Sequence, residues 1–180
     1  MAEASYQEVA EHLRAGRQGS LEAFIQRTQS DCSRVAYSIL RDPELTRDAL
    51  QETYLLVFRK IDQLREPAQA KSWLLRILTR CCQHLLRRRG APPAPEPDDE
   101  PPDPQQPDLE ETVWRRQELR ATFAQLNDQD QTILALREIC SLSYEELSEV
   151  LGIPVGTVRS RLSKARLRFT QSYRGAHSHD

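Results

Sequence analysis

Eight of the chain's eleven prolines fall between residues 90 and 111, together with eight acids and not one base. A stretch of that composition cannot bury enough apolar surface to offset the entropy of ordering it, and its carboxylates repel one another. It predicts a break: two small helical domains, residues 1–89 and 112–180, joined by a flexible acidic Pro-rich linker over residues 90–111. At about 3.1 Å per residue such a tether reaches up to roughly 65–70 Å. The formal net charge of −2 conceals this partition. Fifteen bases stand against eleven acids before the tether, and ten against eight after it. Both flanking units are therefore net positive, which suits an anionic partner.

The clearest local signal lies in the second unit, from Ser143 to Leu162. Ser143 with Glu146 three residues on is a capping box, which pairs two orphan amide donors at a helix start. Leu147, Val150 and Leu151 supply one apolar face at helical spacing. Gly152 stands where a left-handed residue ends a helix, and Pro154 forbids simple continuation. A second helix then carries Val155, Val158, Leu162, Ala165 and Phe169 on an inward stripe. From Val155 to Phe169 there are five bases and no acid. Solvated surface helices mix signs, so this pattern predicts a helix-turn-helix whose second helix enters the DNA major groove. Thr157, Arg159, Ser160, Arg161, Lys164, Arg166 and Arg168 are its candidate DNA contacts.

The first unit reads as helices throughout, in keeping with few glycines and abundant Leu, Arg, Glu, Gln and Ala. One helix covers about residues 6–15, and Gly16 and Gly19 break it. Ser20 is expected to cap a second helix carrying Leu21, Phe24 and Ile25 and leading into Val35, Ala36, Ile39 and Leu40. After a turn at Asp42-Pro43 a third helix spans about 44–61, with Leu50, Thr53, Tyr54, Val57 and Ile61 on one side. Its opposite side presents Asp48, Gln51, Glu52, Leu55, Arg59 and Asp62, a polar face with an apolar centre that suits either solvent or a docked helix.

A fourth helix, residues 71–89, turns Trp73, Leu74, Ile77, Leu78, Cys81 and Leu85 inward. Arg76, Arg80, His84 and Arg87 follow at steps of four, four and three and form one basic stripe that ends in Arg87-Arg88-Arg89. Basic residues in a last turn complement the helix dipole, but a stripe along three turns exceeds that need and points to nucleic acid.

Other classes are weakly supported. No run of about 18 apolar residues is present, so no membrane insertion is expected, and the N-terminus lacks the features of a secretion signal, which predicts a cytoplasmic protein. Cys32, Cys81, Cys82 and Cys140 show no metal-binding spacing and read as buried small hydrophobes, with redox sensing by Cys81 and Cys82 a weaker alternative. Neighbouring residues on a helix point about 100° apart, which disfavours a bridge between them. His12, His84, His177 and His179 form no triad or metal spacing with nearby carboxylates. Neither an enzyme, a cofactor nor a metal site is expected.

Three motifs together resemble the bacterial extracytoplasmic-function sigma factors: Asp48-Ala49-Leu50-Gln51-Glu52-Thr53-Tyr54-Leu55, Lys71-Ser72-Trp73-Leu74-Leu75-Arg76-Ile77, and Leu142-Ser143-Tyr144-Glu145-Glu146-Leu147 continuing through Pro154 to Leu162. They occur in the family's order, and the resemblance takes in both domains with a linker between them, and so nearly the whole chain. The resemblance implies a region 2 domain, a linker and a region 4 domain. It implies that Asp48, Gln51, Glu52, Leu55 and Arg59 bind the β′ clamp of core RNA polymerase. Lys71, Trp73, Arg76, Arg80, His84, Arg87 and Arg88 would engage the promoter −10 element, and the second helix of the helix-turn-helix would read the −35 element. Helices around Phe123, Leu126, Ile133, Leu134 and Leu136 would contact the β flap, and an anti-sigma factor is an expected partner.

Three residues depart from the family pattern. Thr79-Arg80 stands where Arg-Asn is common, and His84 where Asp is common, which bears on −10 specificity. Two other readings remain: a sigma-like decoy that titrates an anti-sigma factor, and a stand-alone helix-turn-helix regulator.

Overall fold

The computed structural model describes residues 4–89 and 109–177, and every regular element among them is helical. Most of the predicted tether, residues 90–108, lies outside the described residues. α1 (Tyr6–Arg14) opens on a capping box in which Ser5 and Glu8 exchange backbone bonds. α2 (Ser20–Leu40) is one unbroken helix. Its cap differs from the expectation: Gly19, in the left-handed region at φ 73°, precedes the helix, and no side chain caps it. Ser20 is already the first helical residue and is buried. Glycine reaches that conformation at low cost, so the backbone bend replaces the side-chain cap.

α3 (Pro43–Lys60) starts where Asp42 accepts from the Leu45 amide at 2.9 Å, with Pro43 in the first turn where a missing N–H costs nothing. Two short 3₁₀ turns, Ile61–Gln63 and Pro67–Gln69, lead into α4 (Ala70–Arg89). These four helices form one bundle in which α2 packs on α1, α3 and α4. Phe24, Ile39, Leu40, Leu74, Leu75 and Leu78 fill its centre and are almost wholly withdrawn from solvent.

The second half comprises α5 (Leu109–Ala124), α6 (Asp128–Glu138), α7 (Tyr144–Leu151) and α8 (Val155–His177). α5 begins at Leu109, so residues 109–111, counted with the tether on composition, are helical. The expected helix-turn-helix is present in detail. Ser143 and Glu146 close the capping box, and Gly152 ends α7 at φ 66°. Ser143→Ala is expected to cost about 0.5–2 kcal/mol, read from urea unfolding, by orphaning the Glu146 amide.

The two halves do not stand apart. α7 packs on α4 and α6 packs on α2, so one continuous apolar core runs through the molecule. α6 shows the consequence most plainly: every residue from Asp130 to Leu136 is buried, because α2 covers one side and α8 another. A helix enclosed on several sides has lost the single wet face of an ordinary amphipathic helix. Among the described residues no helix is long and apolar enough to cross a membrane.

Candidate nucleic-acid interface

α8 turns Val158, Leu162 and Ala165 into the core and leaves Arg159, Ser160 and Lys164 exposed on its outer face, with Thr157 and Arg161 half-buried. Tyr144 at the start of α7 supports this face. The Arg137 and Arg159 guanidiniums lie 5.5 and 5.9 Å from its ring centroid, within cation–π range. Arg137 also donates to the Leu142 carbonyl, tying α6 to the turn before α7.

Further along α8 the basic residues have carboxylate partners. Arg166 donates to Glu138 at 2.8 Å, and Arg168 donates to Asp130, whose side chain is almost fully buried. The Glu138 carboxylate holds the Arg166 guanidinium above its ordinary pKa. Arg161, Lys164 and Arg168 line one wall of an open groove, and Asn127, Asp128, Gln129 and Asp130 line the other. Of the seven candidates on α8, then, Arg159, Ser160, Lys164, Arg166 and Arg168 are all exposed, and Arg166 and Arg168 also bridge to α6. Those pairings span 28 and 38 residues of sequence, which no local pattern reveals.

On α4 the predicted stripe is real. Arg76, Arg80, His84, Arg87 and Arg88 are all exposed, and Leu74, Leu75 and Leu78 face the core. Thr79 is buried and its hydroxyl returns to the Leu75 carbonyl at 2.7 Å, so of the Thr79-Arg80 pair only Arg80 faces outward, as His84 does one turn on. Lys71 and Trp73 are half-buried at the start of the helix. The Lys71 ammonium donates to the Cys140 carbonyl at 2.6 Å and sits 5.4 Å from the Tyr6 ring, so it is engaged within the protein.

α3 exposes a third surface. Asp48, Gln51, Glu52, Leu55 and Arg59 all lie on its outer side, opposite buried Thr46, Ala49, Thr53 and Val57. Phe58, 59% exposed, joins Leu55, 50% exposed, on that side. Its position off the inward stripe and three residues from Leu55 was the available signal, and the sequence reading passed over it. Two large apolar side chains are thus left wet on one face, a larger exposed apolar patch than Leu55 alone.

The four cysteines are buried and unbridged. Burial pushes the Cys32 thiol up to about 12 and Cys140 up to about 11, and raises Cys81 and Cys82 as well. Thiols held protonated at neutral pH are poor nucleophiles, which fits packing residues better than redox sensors.

Comparison with known proteins follows the same division of the chain. Residues 24–91 match the family described as Sigma-70 region 2, and residues 116–169 match Sigma-70, region 4. The chain is 34% identical over 160 residues to the ECF RNA polymerase sigma factor SigC of Mycobacterium tuberculosis, an alignment that takes in 84% of this chain and 82% of that one. It is 33% identical over 150 residues to the ECF RNA polymerase sigma factor SigE of Mycolicibacterium smegmatis, covering 81% of this chain but only 58% of that longer relative. Among solved structures, the sigma factor RpoE in complex with the anti-sigma factor NepR from Bartonella quintana superposes with a TM-score of 0.69. That match has 18% identity and covers 87% of this chain and 98% of the other, a likeness of fold.

Proposed function

The chain belongs to the extracytoplasmic-function RNA polymerase sigma factors, which direct promoter-specific transcription initiation, and from that membership we propose how its surfaces divide the work. Residues 1–89 carry the polymerase-binding and −10 functions, and residues 112–180 carry the −35 function. The observation that carries this reading is the pairing, in one chain, of an exposed basic stripe on α4 with an exposed basic face on a helix-turn-helix.

Within that frame Asp48, Gln51, Glu52, Leu55, Phe58 and Arg59 form the face offered to the β′ clamp. Arg76, Arg80, His84, Arg87 and Arg88 neutralise phosphates of the opened −10 strand, with Lys71 and Trp73 at the upstream end of the same helix. Stacking and phosphate contact are the means by which proteins hold an unstacked single strand. Arg159, Ser160 and Lys164 meet the −35 duplex in the major groove, flanked by Thr157 and Arg161. Arg166 and Arg168 act by fixing the angle of α8 against α6. The helices around Phe123 and Leu126 serve the β flap. An anti-sigma factor is the expected regulator, as for the Bartonella quintana relative solved with NepR. Members of this family are not enzymes, and we assign the chain no reaction, cofactor or metal of its own.

Arg159 offers the sharpest test of α8. A bidentate contact to a base edge contributes about 1–3 kcal/mol of discrimination. Arg159→Ala is therefore expected to weaken binding to a cognate −35 duplex about 5- to 150-fold while leaving a scrambled duplex nearly unaffected. Equal loss on both duplexes assigns Arg159 to the phosphate backbone instead.

A further inference from the structure

We propose that Tyr144 is a positioning residue for base reading by α8: its ring confines the Arg159 guanidinium before DNA arrives, so that sequence discrimination depends on a side chain of α7. The proposal rests on reading Arg159 as a contact to the −35 element. An arginine free in solvent gives up rotamer freedom to form a bidentate contact with a base edge. That cost is lower where the free protein already confines the side chain. On α8, Arg166 and Arg168 are confined by carboxylates. Arg159 forms no salt bridge among the described residues, and its described side-chain partner is the Tyr144 ring, 5.9 Å from the guanidinium carbon.

The place of the ring is set locally. Ser143 caps α7: its hydroxyl accepts from the Glu146 amide at 3.1 Å, and its own amide donates to the Glu146 carboxylate at 2.7 Å. Tyr144 is the next residue and the first of the helix, so its backbone is fixed by that box. α7 packs on α8, where Val158 is buried and Arg159 beside it is exposed. The ring itself is half-buried against the apolar core and cannot swing away without losing that packing. Arg137 braces it, with a guanidinium 5.5 Å from the ring centroid that is also tied to the Leu142 carbonyl. Arg166, held above its ordinary pKa chiefly by Glu138, takes a smaller contribution from the Tyr144 phenol. Three guanidiniums thus gather around one ring. A carbonyl holds Arg137 and a carboxylate holds Arg166, which leaves Arg159 as the one able to pass from ring to base.

The test uses the full chain assembled with core RNA polymerase. Its probes are a promoter duplex drawn from the run-off transcripts of that holoenzyme and the same duplex with the −35 element scrambled. Discrimination is the ratio of the two affinities. Tyr144→Leu keeps apolar packing and removes the ring face, and the strength of an exposed cation–π contact predicts a fall in the ratio of about 2- to 5-fold. Tyr144→Met is a second ring-free variant with the same expectation, and Tyr144→Phe should restore the wild-type ratio. In an Arg159→Ala background Tyr144→Leu should change nothing further, the signature of two residues acting as one. An unchanged ratio in ring-free variants of normal helical circular dichroism overturns the proposal. So does a Tyr144→Phe loss as large as that of Tyr144→Leu, which would assign the hydroxyl to a phosphate. An undiminished Tyr144→Leu loss in the Arg159→Ala background overturns it as well. Arg159→Ala alone decides whether Arg159 reads bases, and the cycle decides separately whether Tyr144 acts through it.

Discussion

Phe24→Ala is expected to destabilise the protein by about 3–5 kcal/mol, the range for deleting a fully buried aromatic ring. Phe24 has no exposed surface and sits on α2, the helix that packs on α1, α3, α4 and α6. The void left by the ring cannot be filled without moving several helices at once, which places the cost toward the upper part of that range. For a chain of this size each kcal/mol shifts the melting temperature by about 2–4 °C, so a drop of roughly 6–20 °C follows. Thermal unfolding followed by circular dichroism measures it. Leu167→Ala is the control: that leucine is 58% exposed, and its loss should change stability by less than about 0.5 kcal/mol. Similar losses for both would mean that α2 is not the centre of the fold.

The second large effect concerns the α4 stripe. Arg76 and Arg80 are exposed and lie one turn apart on the same face, so reversing both to glutamate leaves the core untouched. Charge-assisted contacts contribute about 1.5–3 kcal/mol each, and two lost together amount to a fall on the order of 10²- to 10⁴-fold in promoter opening. Reversal adds repulsion, which favours the upper end. The double variant should also flatten the salt dependence of binding to the opened −10 strand, because each phosphate contact contributes about 0.7 to the slope for a single strand. Promoter-opening assays across a salt series provide both numbers. Unchanged opening by a variant of normal helicity would return the stripe to an ordinary solvated face.

How much of this was legible in the sequence depended on the range of the interaction. The helix-turn-helix was readable because its determinants are local: a serine and a glutamate three residues apart, and a glycine where the left-handed cap belongs. The α4 stripe and the α3 face were readable because helical periodicity assigns faces. Periodicity says which face is buried but not against what. The uniform burial from Asp130 to Leu136 follows from α2 and α8 enclosing α6, and the sequence offered only an apolar helix there. The acidic tract suggested two independent bodies, whereas Arg41 reaches 83 residues along the chain to Ala124 and Lys71 reaches 69 residues to Cys140. The same distance in sequence hid the pairing of Arg166 with Glu138 and of Arg168 with Asp130. At α2 a cap was expected from the side chain of Ser20, and the bend is made by the backbone of Gly19.

Initiation is the activity on which every surface assignment depends. Run-off transcription with core polymerase across a promoter library, with and without the chain, measures it most directly. The expected result is start sites that appear only when the chain is present and that share two upstream elements centred near −10 and −35. Polymerase binding without any such transcript would contradict the account and identify the chain as a decoy.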